Sequence, residues 1–556
     1  MSTFMDAMDT SADNYTFTEK GQLSFTPKGV DSNLLALYFK LVRGATEKNI
    51  VSLTAEVNAN PAFLEDLVVL TFQTRDVRGG KGERQLFYIL FNYLYTNNSH
   101  DIMKRLLALV PVYGSFKDLN ILWEMADKDC HMRHVSNPIK QDILDIYTLH
   151  LRQDELNSSN DSKLSLAAKW APRESGHFTA MARALANNYL KDGSYSQKKV
   201  YTSYRKMVSA LNKRLNTTEI HMAGKSWQDI NPGHVPARCL LINKDAFQNR
   251  IHSGEAQGDQ RSREEDRIVC AEKFKKHLDD GSTVHGGILY PSDIIKRYST
   301  DFDAVLEAQW KDIASEYEVL FTEKISNGEN VRNTIPIIDV SGSMTCNYGG
   351  TVAPIDAAVG LGILLAGLSS GPYKGRAITF SDKPEWIRFK GCSTLKDQIH
   401  AARSSSWGMT TNLYNVFNLI LKVAVKKKVS EAELANMDLI ILSDMQFDTS
   451  QRNGDAKGKW KTTLQNIETL YAVAGYHSVP HIIFWNLHGR TMDFPEQANT
   501  PNVTMVSGFS PSAAKTLLTE GVGAVKKEKK TPSDTLREIL DDARYDPVRE
   551  AFRSPL

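Results

Sequence analysis

From about Asn33 the chain repeats apolar residues at intervals of three and four, and only near Asn327 does that period give way to short unbroken apolar runs. LLALYFKLVRG, AFLEDLVVLTFQTRDV, ERQLFYILFNYLY and DIMKRLLALVPVY each carry the helical spacing, separated by short breaks containing Gly, Asn or Pro. ILDIYTLHLR, AAKWAPR, FTAMARALANNYL, VYTSYRKMVSALNKRL, DIIKRYS and FDAVLEAQWKDIASEYEVL continue it. Helix follows helix with no strand between, the pattern of stacked helical pairs rather than of an α/β unit, although no fixed sequence period emerges.

The texture then changes. NTIPIIDVSGSM, GRAITFSD, MDLIILSDMQF and HIIFWNL are short, rich in β-branched residues, and end in small or acidic groups. The helical stretches IDAAVGLGILLAGL, NLYNVFNLILKVAV and WKTTLQNIETLYAVAG alternate with them. Continuously apolar strands alternating with helices imply a doubly wound parallel sheet covered on both faces. The first thirty or so residues are polar and without period, which suggests a flexible arm. EAQGDQRSREEDR, from Glu255 to Arg267, reads as an exposed loop and KKEKK, from Lys526, as a linker. Ser533 to Phe552 offers a last amphipathic helix, capped by Ser533, whose stripe of Leu536, Ile539, Leu540 and Ala543 should dock back on the molecule. The expected organisation is an arm (1–32), a helical domain (33–327), an α/β domain (328–520), and a linker with a docking helix (521–556).

At 556 residues the chain is too long for one core. With 41% hydrophobic and 24% charged residues it has an ordinary globular composition. A formal charge of +2 supplies no global field toward nucleic acid or membrane, so any polyanion site depends on local clustering. Cys130, Cys239, Cys270, Cys346 and Cys392 are odd in number and lack CxxC spacing, which argues against a disulfide framework or a thiolate zinc site and for a reducing, cytoplasmic setting. The N-terminus has no apolar core run of a secretory signal, and no stretch approaches the apolar length of a membrane span.

The strongest chemical signal is DVSGS, Asp339 to Ser343, directly after the strand IPII. Ligands of open parallel sheets sit beyond the carboxyl ends of the strands. Asp339, Ser341 and Ser343 present hard oxygens there, Thr411 opens a helix after a second gap, with Thr410 as its alternative, and Asp444 ends a third strand. That donor set suits Mg²⁺. Each piece alone reads as a helix cap; all three in strand–helix order point to a cation. No Ser/His/Asp arrangement accompanies them, and His477, His481 and His488 read as surface or core histidines, so no enzyme is expected. Lys81 in RGGKGER lacks the spacing and the preceding strand of a phosphate loop. DVSGSM, GMTTN and LSDMQFD resemble the metal-ion-dependent adhesion site of the von Willebrand factor A fold. The resemblance implies that Ser341, Ser343 and Thr411 bind the ion, that Asp339 and Asp444 act directly or through water, and that one position stays open for a partner's carboxylate.

In the helical half, RDVRGGKGER, YGSFKDL, KWAPRE, YRKMVSALNKR and GKSW concentrate cations, several beside Tyr or Trp. Each reads equally well as a solvated helix end; together they have the mixture an RNA binder uses. Followed by the A-type motifs, they resemble the TROVE/Ro family of RNA-binding proteins, in particular a viral and eukaryotic branch. The resemblance implies a HEAT-like helical ring or arc closed by the A domain and RNA on its basic residues, for which Arg78, Lys81, Arg84, Lys169, Arg173, Arg205 and Lys213 are the candidates. The functional expectation is a non-enzymatic RNA-binding protein whose A domain recruits a partner through Mg²⁺. The alternative is a protein-interaction scaffold or virion component that binds no RNA.

Overall fold

In the computed structural model the chain divides into two compact units, each drawn from separate stretches of sequence. Unit 1 comprises residues 1–70, 78–86 and 286–543, and unit 2 residues 71–77, 87–285 and 544–556. The structure describes residues 15–17, 23–25, 30–128, 138–157, 163–190, 196–251, 260–298, 301–327, 332–346, 352–381, 383–404, 412–445, 463–489, 502–514 and 531–554. Thr410, Thr411 and the KKEKK segment lie outside them.

Strands β1 (Tyr15–Phe17) and β2 (Leu23–Phe25) pair antiparallel, where the sequence suggested only a flexible arm. Helices follow: α1 (Val30–Lys40), α2 (Glu47–Asn58), α3 (Leu64–Arg75), α4 (Arg84–Asn97), α5 (His100–Tyr113), α6 (Phe116–Lys128), α7 (Pro138–Leu156), α8 (Ala167–Trp170), α9 (Thr179–Tyr189), α10 (Gln197–Leu215), α11 (Thr218–Ala223), α12 (Ala237–Phe247), α13 (Glu265–Asp279), α14 (Pro291–Arg297) and α15 (Ala304–Ser326). Every helical period read from the sequence is a helix here. The proposed loop ending at Arg267 is corrected, since Glu265–Arg267 opens α13 and supplies acidic residues to its first turn.

The α/β part of unit 1 then runs β3 (Asn333–Asp339), α16 (Pro354–Gly367), β4 (Arg376–Phe380), β5 (Trp386–Arg388), α17 (Leu395–Arg403), α18 (Leu413–Lys427), α19 (Glu431–Ala435), β6 (Met437–Ser443), α20 (Thr463–Val473), β7 (His481–Asn486), β8 (Val503–Ser507) and α21 (Pro532–Leu540). The sheet order is β5-β4-β3-β6-β7-β8. Five strands are parallel, but β5 pairs antiparallel with β4 at the edge, so the sheet is mixed rather than wholly parallel. β6, β7 and β8 are buried at every position. β6 and β7 read from the sequence as apolar runs for that reason, whereas β8, VTMVS, is interrupted by Thr504 and Ser507 and was not among the strands expected. α16 is buried from Pro354 through Ala366. It needs small residues where it meets its neighbours: a Cβ on Gly362 would come within 2.5 Å of Ile338 on β3, and one on Gly360 within 2.7 Å of Pro291 on α14.

A buried lysine joins α1 to this sheet. The last carbonyls of a helix have no partner within it and attract cations. At the end of α1, Lys81 Nζ donates to the carbonyls of Tyr38 and Leu41 and to Ser507 Oγ, while Ser507 in turn donates to Tyr38 O at 2.9 Å. Asn486 Nδ2 donates to Phe39 O at 2.9 Å. Ser507 and Asn486 end β8 and β7, so the carboxyl edge on that side of the sheet is closed by α1 and the Lys81 loop.

Unit 2 is helical. α5, α6, α7, α9 and α10 pack each on the next, and α8 lies on α10. Asp118 of α6 is its main polar tie: it accepts from Arg75 at 2.7 Å, from Tyr88 and from the Ser115 backbone at 2.7 Å, all buried or half-buried. A Cβ on Gly114 would meet the same carboxylate at 2.3 Å, which explains the glycine of YGSFKDL.

The C-terminal segment does dock back, though not as the single helix expected. α21 is capped by Thr531, not Ser533, in a capping box closed by Asp534, with Pro532 in the first turn. A 3₁₀ turn (Ala543–Tyr545) precedes α22 (Asp546–Arg553) in unit 2, where Tyr545 stacks on Tyr113 and Arg544 pairs with Asp76 at 2.8 Å. Leu536, Ile539 and Leu540 are buried against α1 and β8 in unit 1. Leu540→Ala is expected to cost about 2–5 kcal/mol and to lower the melting temperature in thermal denaturation; an unchanged melting temperature would mean that the segment does not dock.

Candidate functional site

β3 is the strand at which the winding reverses, with β4 on one side and β6 on the other. Its crevice with β6 is the switch point of the sheet, where such folds take ligands. Ile338 pairs with Leu442, so Asp339 and Ser443 come next in register and Asp444 just beyond. Asp339 is 0% exposed, Ser341 1% and Asp444 5%. Asp339 Oδ1 accepts the Ser341 N–H at 2.9 Å, and Oδ2 accepts the Ser443 hydroxyl. A 3₁₀ turn (Gly342–Thr345) brings Ser343 Oγ to 3.0 Å from Ser341 Oγ. After Asp444 the backbone of Met445 takes φ 63°, a left-handed conformation that a side-chain-bearing residue adopts only where its surroundings impose it.

Burial, and then the charge of Asp444, push the Asp339 carboxyl up to about 7, against the opposing hydrogen bonds from Ser443 and Ser341. Two carboxylates and two hydroxyls thus converge at one strand-end crevice, with like charge concentrated away from water. A divalent cation relieves that repulsion and matches the all-oxygen donors. The residues fit such an ion, although among the described residues no group of three or more His, Cys, Asp or Glu forms a metal cluster. Thr411 lies outside the described residues.

Sequence reasoning missed Ser443, whose only signal was its place before Asp444 in LSD. Of the three histidines, His477 is exposed and His481 and His488 are buried. His481 on β7 bridges Asp438 at 2.9 Å and Thr504 at 3.0 Å within the sheet, and the buried His488 packs on Gly44.

The seven candidate RNA contacts divide. Lys81 is a correction: it is 2% exposed, its ammonium is held by three oxygens, and burial holds it well below the usual lysine range, so it is not available to a phosphate. Its neighbours in RDVRGGKGER are spent similarly, Arg75 on Asp118, Asp76 on Arg544, and Glu83 on Arg43 at 2.9 Å. Arg78 and Arg84 are exposed in unit 1. In unit 2, α8 and the residues after it are fastened to α10 by Asn212 Nδ2 donating to Ala168 O at 2.7 Å and Tyr204 Oη donating to Pro172 O at 2.9 Å. Lys169 lies on α8 and Arg173 just after it, while Arg205 and, two turns further on, Lys213 lie on α10. Lys169 pairs with Glu219 at 2.8 Å and Arg205, 62% exposed, with Glu174 at 3.2 Å. Trp170 has Lys117 and Lys169 at 5.6 and 5.7 Å from its ring centre, and its carbonyl accepts from Asn120 at 3.0 Å and Tyr147 at 3.3 Å. Trp227 of GKSW is instead buried under Arg267.

Two family models match the chain: a domain of unknown function, DUF2828, over residues 141–320 and another, DUF7788, over 333–550. Neither is a von Willebrand A or Ro model. An uncharacterized protein of Acanthamoeba polyphaga mimivirus is 27% identical over 96% of this chain and 89% of its own length. The crystal structure of the Deinococcus radiodurans Ro (RSR) protein aligns over 92% of this chain and 99% of its own, at 13% identity and a TM-score of 0.41, too distant to assign fold or ligand.

The raised Asp339 carboxyl has a sign that experiment can read. The unfolded chain releases this proton near the ordinary value of about 4, whereas the folded protein keeps it up to about 7. Over that window the native state binds more protons, so stability falls as pH rises and levels off above it. Melting temperatures in EDTA are expected to decline from pH 5 to pH 7.5, and Mg²⁺ to reduce the decline. An identical decline with and without Mg²⁺ would argue against an ion at Asp339.

Proposed function

We propose that this chain is a non-enzymatic binding protein in which unit 1 holds a hard divalent cation and unit 2 holds RNA. The observation that carries the reading is the pair of buried carboxylates, Asp339 and Asp444, set at neighbouring strand ends beside two serine hydroxyls. Mg²⁺ is the ion the donor set favours, with Asp339, Ser341, Ser343, Thr411 and Asp444 around it. An exchangeable position on that ion takes a carboxylate from a protein partner. Four described cysteines are unpaired, in keeping with a reducing cytoplasmic setting. No helix among the described residues is long and apolar enough to cross a membrane.

The RNA reading is supported by α8, the residues just after it and α10, which carry Lys169, Arg173, Arg205 and Lys213. It is supported also by Trp170, whose ring has Lys117 and Lys169 close to it and whose carbonyl is held by Asn120 and Tyr147. Helical pairs arranged as a ring or arc belong to this reading. RNA contacts from such residues neutralise phosphates and are strongly salt-dependent.

Calorimetric titration tests the first part: Asp339→Asn is expected to abolish measurable Mg²⁺ binding in a protein that remains folded, and unchanged affinity would refute the site. Filter binding tests the second. Lys169→Glu with Arg205→Glu should weaken every RNA tested and reduce the salt slope by about two, while Asp339→Asn leaves RNA binding intact. Absence of wild-type RNA affinity at physiological salt would replace this reading with a protein-interaction scaffold.

A further inference from the structure

We infer that Ser443 is a positioning residue that sets the affinity and the size preference of the cation site, an inference that rests on the cation reading of Asp339 and Asp444. Ser443 ends β6 and is wholly buried. Its hydroxyl donates to Asp339 Oδ2 and accepts the N–H of Met445 at 3.1 Å. It therefore ties the carboxylate on β3 to the turn that carries the carboxylate on β6. That turn is the one in which Met445 is held at φ 63°. The Ser341 N–H on Oδ1 completes the brace, so each Asp339 oxygen has a donor and the carboxylate is fixed in rotation as well as in place.

The consequence is selectivity. Mg²⁺ requires near-octahedral geometry at short distances, whereas Ca²⁺ accepts more oxygens and frequently both oxygens of one carboxylate. Turning Asp339 to offer both oxygens would break the bond from Ser443. The brace therefore disfavours Ca²⁺ and holds the Asp339 carboxylate to the turn that carries Asp444. A hydrogen-bonded group behind a metal-binding side chain typically changes metal affinity by about 10–100-fold when removed.

The test is calorimetric titration of Mg²⁺ and of Ca²⁺ into EDTA-stripped full-length protein. Wild type, Ser443→Ala, Ser443→Cys and Ser443→Thr are compared, each with its melting temperature in EDTA. Ser443→Ala is expected to lose Mg²⁺ affinity by about tenfold or more and Ca²⁺ affinity by less, so the Ca²⁺-to-Mg²⁺ preference rises. Ser443→Cys, a near-isostere with a weak donor, should move the same way and carries the test if the alanine variant fails to fold. Ser443→Thr, which keeps the hydroxyl, should retain the wild-type preference. Altered melting temperatures with unchanged affinities and preference would make Ser443 a purely structural serine and overturn the inference. Wild-type protein that binds neither ion would instead overturn the cation reading on which it rests.

Discussion

Two carboxylates buried side by side at the switch point of a sheet are the constraint to which unit 1 answers. Desolvation and like charge both act against the ionised forms, and Asp339 responds by holding its proton up to about 7. The fold does not dilute this strain. Apolar strands β3 and β6 run in register, so their chain reversals place Asp339 and Asp444 together, and α16 lies so close over β3 that only glycine fits at Gly362. The donors from Ser341 and Ser443 orient the Asp339 carboxylate without neutralising it. On the proposed reading a divalent cation would offset that like charge.

A second buried charge is resolved in the opposite manner. Lys81 is surrounded by neutral oxygens from the end of α1 and from Ser507, and its ring contact with Tyr38 at 3.9 Å adds to its enclosure. Together with Arg43, which pairs with Glu83 and lies over Phe509 at 4.8 Å, it closes the β7–β8 side of the carboxyl edge. The lysine of the most basic-looking segment is therefore internal, whereas Arg173, Arg205 and Lys213 on and near α8 and α10 are exposed.

How much of this was legible follows from what pattern can carry. Long helices with an apolar stripe and the strands β3, β4, β6 and β7 announce themselves by period and were read, whereas β8, buried but interrupted by Thr504 and Ser507, and the helices α2, α6, α12 and α17 were not. β5 is three residues long and pairs at an edge, so it leaves no apolar run. The cap of α21 moved to Thr531 because Pro532 and Asp534 complete a capping box there, a pairing that outweighs a serine two residues on. Asp339, Ser341, Ser343 and Asp444 could be read because each sits at a fixed offset from a strand end. Ser443 could not, since its role depends on which strand lies beside it, and Lys81 misled because sequence spacing does not reveal that a lysine's acceptors come from residues 38, 41 and 507.

The proposed reading of unit 1 stands or falls with a divalent cation between the ends of β3 and β6. Crystals grown with Mn²⁺ and measured for anomalous scattering test it most directly. A strong anomalous peak is expected within coordination distance of Ser341 and Ser343 and adjacent to Asp339 and Asp444. A peak elsewhere with none in this crevice, or no bound Mn²⁺ at saturating concentration, would contradict it.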